Sequence, residues 1–273
     1  MVASAPVVKP RPAHRAAEPA VQLRGVGKVF DGFRALQDIN IDFPRGELTS
    51  LLGPSGCGKT TTLKIIAGLL PPSEGEVFID GRAVRGPGPE RAFVFQDFAL
   101  LPWRNVLRNV AFGLEVRGVP KEEREAVARR KIAEVGLAGA ERKYPHELSG
   151  GMRQRVGLAR ALSVDADILL MDEPFASVDE QNRRKFQEDL LRLLAHEQKT
   201  VIFVTHSIEE AVYISDQVVV LKRDPGRVSR VLRPAIDRSA RLDELRRSPE
   251  YLDAVDEIWN ELRDYLEGEE RPA

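Results

Sequence analysis

The chain has 273 residues, 42% of them hydrophobic and 30% charged, which is the balance of an ordinary globular protein with one large or two small domains. Its formal net charge of −1 excludes a whole-chain field that would attract nucleic acid. A single cysteine excludes an internal disulfide, and no apolar run approaches the roughly eighteen residues that a membrane span requires. If the protein works at a membrane, another polypeptide crosses it.

The first 20 residues are rich in alanine and proline, with Lys9, Arg11 and Arg15 scattered among them. Such a segment cannot bury enough apolar area to fold, so residues 1–20 are predicted to form a disordered tail. They also lack the continuous apolar stretch of a secretory signal. A targeting function is the alternative interpretation of this segment.

Strand patterns begin at Val21 and alternate with helical patterns along most of the chain. Apolar residues between 36 and 43 alternate as they would in a half-buried strand. Helical patterns between several later strands predict a mainly parallel sheet covered by helices. The predicted strands are 47–52, 76–80, 91–95, 168–172, 201–205 and 217–221, and a predicted helix at 59–70 follows a glycine-rich loop.

Two regions depart from this alternation. Residues 97–147 contain helical patterns and no convincing strand, which predicts a helical insertion between two blocks of strands. After Val231 the pattern is helical again, and one helix face is predicted to carry Leu252, Val255, Trp259, Leu262 and Leu266. This face predicts a helix packed on the parent domain, with a regulatory or partner-binding role as the alternative. No internal repeat is visible, so the chain is expected to carry a single set of functional motifs.

The glycine-rich loop matches the phosphate-binding pattern G-x-x-x-x-G-K-[ST]. Its backbone N–H groups form a concave nest for anions, and the helix that follows presents its positive end to phosphates. Lys59 supplies a charge for the β and γ phosphates, and the Thr60 hydroxyl can bind Mg²⁺. An ordinary glycine turn is the alternative. The predicted nucleotide-binding residues here are Gly53, Pro54, Ser55, Gly56, Cys57, Gly58, Lys59, Thr60 and Thr61.

A second motif is the apolar strand 168–172, which ends in two acids, Asp172 and Glu173. Adjacent residues on a strand point to opposite faces, so the two carboxylates are predicted to have different roles. We expect Asp172 to face the phosphate loop and hold Mg²⁺, and Glu173 to act as the general base that polarises the attacking water. A strand end that simply reaches solvent is the alternative.

The third motif, residues 148–155, reads L-S-G-G-M-R-Q-R and resembles the signature of the ABC family, in the family's order between the phosphate loop and the acidic strand. Ser149 is a good N-cap, and Gly150 and Gly151 leave backbone N–H groups open at a helix start. No acid occupies the third helical position, where a capping box would place one. The helix start is therefore predicted to be free for an anion.

Single residues extend the resemblance over roughly residues 21–231. Gln96 resembles the glutamine that meets Mg²⁺ and links to the transporter, and His206 resembles the switch histidine that senses the γ-phosphate. Phe30 resembles the aromatic residue that stacks on adenine, although a buried core phenylalanine would give the same pattern. Asp179 resembles the aspartate of the loop after the acidic strand, in a slightly unusual context, A-S-V-D.

The resemblance implies an α/β fold with a P-loop NTPase (RecA-like) core, a mainly parallel sheet and an antiparallel β edge. It implies an ATPase domain at 21–233, with a helical subdomain inserted at about 97–160, and a C-terminal helical extension at 234–273. It also implies a sandwich in which two copies face each other, so that the signature of one closes over the ATP and Mg²⁺ held by the other. Hydrolysis then drives permease subunits between two forms.

The segment 98–103, F-A-L-L-P-W, follows Gln96 closely and is more apolar than an ordinary solvent-exposed loop. In the family this region forms a groove for the membrane subunit, and aromatic anchors suit such an interface; burial within the helical insertion is the alternative. The overlapping stretch L-P-W-R-N-V at 101–106, together with D-P-G-R-V at 224–228, resembles importer ATPases for nitrate, sulfonates and taurine. The resemblance therefore implies a peripheral protein on the cytoplasmic face of the inner membrane, served indirectly by a solute-binding protein.

Other classes remain as alternatives. ABC proteins that act on nucleic acid or ribosomes usually carry paired ATPase domains, a long coiled-coil insert or zinc-binding cysteines, whereas this chain has one motif set and one cysteine. No nucleic-acid partner is therefore expected. A kinase or GTPase would lack the signature, and a non-hydrolysing regulatory protein would be expected to lack Glu173 or His206. An exporter subunit stays open.

Overall fold

A computed structural model describes residues 19–176, 180–236 and 242–266. The predicted tail at 1–20 lies almost entirely outside the described residues, and so does Asp179. The strands are β1 (Val21–Phe30), β2 (Phe33–Phe43), β3 (Leu48–Leu52), β4 (Glu74–Ile79), β5 (Arg82–Ala83), β6 (Arg91–Val94), β7 (Ile168–Asp172), β8 (Thr200–Thr205), β9 (Gln217–Lys222) and β10 (Arg227–Leu232). The helices are α1 (Lys59–Ile66), α2 (Val106–Val110), α3 (Phe112–Val116), α4 (Lys121–Glu134), α5 (Gly150–Ser163), α6 (Glu180–Glu197), α7 (Ile208–Ile214), α8 (Leu242–Leu245) and α9 (Pro249–Leu266).

The strands form two sheets. A six-stranded sheet has the order β10-β9-β3-β8-β7-β6, and all its pairs are parallel except β10 with β9. A four-stranded antiparallel sheet has the order β2-β1-β4-β5. The fold predicted from the sequence, a mainly parallel α/β core with an antiparallel edge, is confirmed.

The central strands are buried on both faces, which explains their continuous apolar sequences. Alternate residues of β7 enter two different hydrophobic clusters: Leu169 and Met171 join one, and Ile168 and Leu170 join the other. The first cluster also contains apolar residues of α2, α4 and α5, and the second contains those of β1, β2 and α1. The parallel sheet is therefore the common wall between the antiparallel sheet and the helices.

Helices α2 to α5 lie between β6 and β7, in the region whose sequence shows no strand pattern. Asn109 of α2 is fully buried, and its side-chain amide donates to the carbonyls of Leu101, Arg104 and Asn105 at 3.1, 2.8 and 3.1 Å. Its side-chain oxygen accepts from the Leu101 N–H at 2.8 Å. One side chain thus fixes the loop 101–105, which carries Trp103.

Two details of the sequence prediction are wrong. Helix α1 ends at Ile66 rather than at 70, because Gly68 adopts a φ of 73° and begins a turn that precedes two prolines. The buried face of α9 consists of Tyr251, Ile258 and Leu262, whereas Leu252 and Trp259 are each 49% exposed. Of the predicted face, Leu262 is buried and Val255 packs against the core, so those two positions are confirmed, and the side chain of Leu266 lies outside the described residues.

Helix α9 packs against α7, where the Tyr251 hydroxyl donates to the carbonyl of Glu209 at 3.5 Å. Packing on the parent fold, predicted for this helix, is therefore confirmed, with Leu262 and Val255 shared between the predicted and the observed faces. Within the described ranges, no helix is both long enough and apolar enough to cross a bilayer.

Candidate active site

The phosphate loop connects β3 to α1, and its glycines are required by contacts with other parts of the fold. A Cβ on Gly53 would overlap the carbonyl oxygen of Leu221, and a Cβ on Gly58 would overlap the side chain of Leu36. Gly58 also has a φ of 91°, in the left-handed region that favours glycine. The antiparallel sheet and β9 thus determine the course of the loop.

The start of α1 is free of competing side chains. Gly58 occupies the N-cap without any side-chain cap, and the first turn carries no acid. Because the first N–H groups of a helix have no partners within the helix, this end favours an anion. The preceding glycines allow an oxyanion to approach the backbone closely.

Lys59 brings a positive charge to this helix start. Its ammonium donates to the carbonyls of Gly53 and Pro54 at 2.7 and 2.8 Å, and its Nζ lies 3.7 Å from the Cys57 Sγ. Burial raises the pKa of the Cys57 thiol, against the smaller opposing effect of Lys59. Cys57 therefore supports the loop as a neutral, buried side chain.

Asp172 and Thr60 meet beside the loop, where the Thr60 hydroxyl donates to Asp172 Oδ1 at 2.8 Å. Burial raises the pKa of Asp172, and the hydrogen bond from Thr60 opposes this effect. A carboxylate and a hydroxyl are hard oxygen ligands of the kind Mg²⁺ uses together with substrate phosphates. Two such ligands leave the remaining coordination positions of an ion to a substrate or water.

Glu173 is the point where three predicted residues converge. Its own φ is 45°, and its N–H donates to the carbonyl of Val204 at 3.2 Å. The Gln96 amide donates to Glu173 Oε2 at 3.2 Å, and Nδ1 of His206 lies 3.7 Å from Glu173 Oε1. A non-glycine residue in the left-handed region is uncommon and re-aims the side chain away from the strand direction. Asp172 and Glu173 consequently reach different partners.

Glu173 also lines a cavity of about 360 Å³ at the start of α1. The lining includes Lys59, Thr60 and Thr61 at the start of α1, and also the aromatic residues Phe30 and Phe33. Phe30 is 41% exposed, which contradicts its alternative interpretation as a buried core residue. The complete lining is Phe30, Phe33, Ala35, Ser55, Gly56, Gly58, Lys59, Thr60, Thr61 and Glu173.

The signature motif begins α5 and does not line this cavity. Ser149 is the N-cap, as predicted, and its Oγ accepts from the Met152 N–H at 3.3 Å. The first turn again carries no acid, and a Cβ on Gly151 would meet no atom within 4 Å. This helix start is therefore a second uncrowded anion-binding end, separate from the first.

Two residues near the site were not identified from the sequence. Phe33 lines the cavity together with Phe30. The sequence F-D-G-F at 30–33 indicates a two-residue hairpin turn, which would pair Phe33 with Phe30 across the strands. Arg160 of α5 donates to the carbonyls of Phe98 and Ala99, both at 2.7 Å. Those two residues have φ angles of 58° and 43°. No local sequence pattern indicates this long-range contact.

The parallel sheet, the phosphate loop and the buried acid define the class: the protein is a P-loop nucleotide-binding protein. A family model described as ABC transporter matches residues 36–176. An uncharacterized ABC transporter ATP-binding protein of Methanocaldococcus jannaschii is 51% identical over 237 residues, which are 86% of this chain and 87% of the relative. A taurine import ATP-binding protein of Pseudomonas syringae is 51% identical over 214 residues, 78% of this chain and 82% of the relative.

Solved structures agree with these sequence relatives. A dimeric, post-hydrolysis ATP-binding cassette bound to ADP and Pi superposes with a TM-score of 0.70 and is 33% identical, covering 78% of this chain and 98% of that chain. A dimeric bacterial ABC transporter cassette gives 0.71, with the same identity and coverage. The chain belongs to the ABC transporter family, as a subunit that couples ATP hydrolysis to transport.

Proposed function

We propose that this protein powers an importer for taurine, a sulfonate, nitrate or a similar small anion, by ATP-driven closure of two copies against permease subunits. The observation that carries the ATPase part of the proposal is the convergence of Gln96 and His206 on Glu173, at the wall of the cavity that Lys59 and Thr60 also line. Import of a small anion is supported by the similarity to the taurine import ATP-binding protein of Pseudomonas syringae. In this assignment residues 21–233 form the ATPase domain, with a helical subdomain at about 97–160, and 234–273 form a C-terminal extension.

The cavity wall suits hydrolysis of a terminal phosphate. The N–H groups at the start of α1 and the Lys59 ammonium would bind the phosphate oxygens. Glu173 would accept a proton from the attacking water, while Gln96 and His206 position its carboxylate. Thr60, Asp172 and the side-chain oxygen of Gln96 would hold Mg²⁺, which supplies charge neutralisation for the phosphates when bound.

The start of α5 supports a second copy as the partner. It has a capped but uncrowded N-terminus and lies outside the cavity of its own chain. We propose that Ser149, Gly150 and Gly151 of one copy close over the triphosphate held by the other. The dimeric state described for two similar solved structures supports this arrangement. Asp179, outside the described residues, stays a prediction as a further contact at that interface.

The permease is proposed to dock on the segment after Gln96. Trp103 is 70% exposed, so it is available as an aromatic anchor rather than buried within the helical insertion. The Asn109 hydrogen bonds hold its loop in one conformation. In this assignment the protein is peripheral on the cytoplasmic face of the membrane, and a solute-binding protein delivers the anion to the permease from the other side.

Import of an anion can be tested with the intact system. The chain is purified with its membrane partners from solubilised membranes of its source, and the complex is reconstituted in vesicles with the solute-binding protein. We expect ATP-dependent accumulation of taurine, another sulfonate or nitrate, and loss of accumulation with Lys59→Ala. Movement of solute in the opposite direction would assign the protein to an exporter. Co-purification of nucleic acid or ribosomes without a permease would contradict the transport partner.

The docking surface has its own test. Trp103→Ala should leave the ATPase rate of the isolated subunit unchanged and weaken its assembly with the permease, measured by pull-down. Trp259→Ala is the matched control, because Trp259 is an exposed tryptophan on α9, far from this loop in the sequence. Normal assembly of Trp103→Ala would remove Trp103 from the proposed interface.

A further inference from the structure

Two exposed phenylalanines pair across the strands at the tip of the β1–β2 hairpin. Phe30 and Phe33 are direct cross-strand partners, and they are 41% and 60% exposed. Residues that pair directly across antiparallel strands project to the same face of the sheet, with their Cβ atoms about 5 Å apart. The two rings therefore stand side by side on one surface rather than on opposite faces of the hairpin.

The turn between them fixes this arrangement. Asp31 and Gly32 have φ angles of 43° and 84°, and positive values at both central residues are typical of a tight two-residue hairpin. Such a turn allows no extra residue that would slip the register and rotate one ring away. The positions of both rings are thus set by the backbone.

Both rings belong to the cavity proposed for ATP. They line it together with Lys59, Thr60 and Thr61 at the start of α1. A molecule that places its phosphates at the start of α1 and extends across this cavity therefore meets two apolar aromatic surfaces. A planar base has a π face that stacks on aromatic side chains, whichever base it is.

Lys28 determines which face of Phe30 is available. Its ammonium lies over the Phe30 ring, 5.1 Å from the centroid, and donates to the carbonyl of Pro71 at 2.8 Å. Lys28 is buried, so the ring face that it covers is turned toward the protein. A base can then stack only on the other face of Phe30, and Phe33, which is exposed and lines the same cavity, is the aromatic ring available for a second contact.

We propose that Phe33 is the second aromatic contact of the base, so that adenine is held by a pair of rings, Phe30 and Phe33, rather than by one. This inference rests on the proposed assignment of the cavity to ATP. Phe33 contributes to binding alone, because it contacts the base and is remote from the bond that is cleaved.

The test separates binding from chemistry. In Phe33→Ala we expect the KM for ATP to rise roughly tenfold, within the range found for loss of one stacked aromatic, while kcat stays unchanged. Phe33→Tyr, which retains the ring, should restore the KM. Trp259→Ala is the matched control for loss of an exposed aromatic elsewhere and should leave both constants unchanged.

A second readout identifies the part of ATP that Phe33 contacts. Inorganic tripolyphosphate, used as an inhibitor of the ATPase, should act equally on the original protein and on Phe33→Ala, because it has no base. An unchanged KM in Phe33→Ala would overturn the proposal, and so would failure of Phe33→Tyr to restore it. If Lys59→Ala binds ATP normally, the assignment of the cavity fails instead, and the two failures are distinguishable.

Discussion

Two helices of this protein begin after glycine-rich segments, and their surroundings differ. The start of α1 has no side-chain cap and is accompanied by Lys59, Thr60 and the acids Asp172 and Glu173. The start of α5 is capped by Ser149, and its first turn carries no acid. Both offer backbone N–H groups to an anion, but only the first combines them with a buried cation.

This difference indicates a division of labour. A helix end alone contributes modestly to anion binding, whereas a buried ammonium and charge-assisted hydrogen bonds contribute much more. The start of α1 can therefore bind a triphosphate within one chain. The start of α5 contributes too little binding free energy to hold an anion alone. It can strengthen the binding of a triphosphate that another copy already holds, as in the proposed sandwich of two copies.

The largest effect is expected from Glu173→Gln, which removes the proposed general base and preserves the shape of the α1 region. Hydrolysis should fall by roughly a hundred- to ten-thousandfold, while ATP binding persists and an ATP-bound dimer accumulates. Phosphate release and light scattering with Mg-ATP measure the two outcomes. Glu122→Gln, an exposed change on α4, is the control. Substantial hydrolysis by Glu173→Gln would exclude this residue as the base.

Lys59→Ala tests the charge that distinguishes α1 from α5. We expect ATP affinity to fall by about a hundredfold, because the ammonium proposed to bind the β and γ phosphates is lost. Lys64→Ala is a matched control, since Lys64 lies exposed on the same helix. Calorimetric titration measures both variants. Equal affinity in Lys59→Ala and Lys64→Ala would remove the distinction between the two helix starts.

Gly151→Val tests whether the α5 start meets a second copy. The added side chain finds open space in its own chain, so thermal stability and ATP binding should be nearly unchanged. Hydrolysis should fall by roughly tenfold or more, because closure over the triphosphate is obstructed. Gly86→Val is the control, since a Cβ on Gly86 also meets nothing within 4 Å. Normal hydrolysis with Gly151→Val would place this glycine outside the interface.

Ser149→Ala should have the smallest effect, because it removes one cap. Loss of an N-cap costs about 1 kcal/mol of stability, and a contact to the triphosphate would add a further several-fold loss of hydrolysis. Ser248→Ala is the matched control: Ser248 Oγ accepts from the Tyr251 N–H at the start of α9, away from the cavity. Melting curves and ATPase rates of the two variants separate the two contributions. Equal losses of ATPase activity in Ser149→Ala and Ser248→Ala would show that Ser149 acts only as a helix cap.

The sequence predicts the phosphate loop and the acid pair well, since each is a local pattern whose chemistry depends on neighbouring residues. It also predicts the parallel strands, because strands buried on both faces are continuously apolar. It fails on the face of α9, where Leu252 and Trp259 give an apolar spacing as plausible as that of Tyr251 and Ile258. Only packing against α7 decides between them.

The remaining omissions are contacts between distant parts of the chain. The hydrogen bonds from Arg160 to the carbonyls of Phe98 and Ala99 join residues that are 62 and 61 positions apart in the sequence. No periodicity or motif encodes such a pair. The role of Phe33 depends similarly on the cavity that the hairpin tip shares with α1.

Arg160 gives α5 a mechanical connection. Arg160 lies on the helix that Ser149 caps, and its guanidinium donates hydrogen bonds to two consecutive carbonyls, those of Phe98 and Ala99, shortly after Gln96. A tilt of this helix as a rigid rod would therefore pull the backbone between Gln96 and Trp103. The start of α5 and the loop that carries Trp103 would then move together, while the packing of the core stays the same.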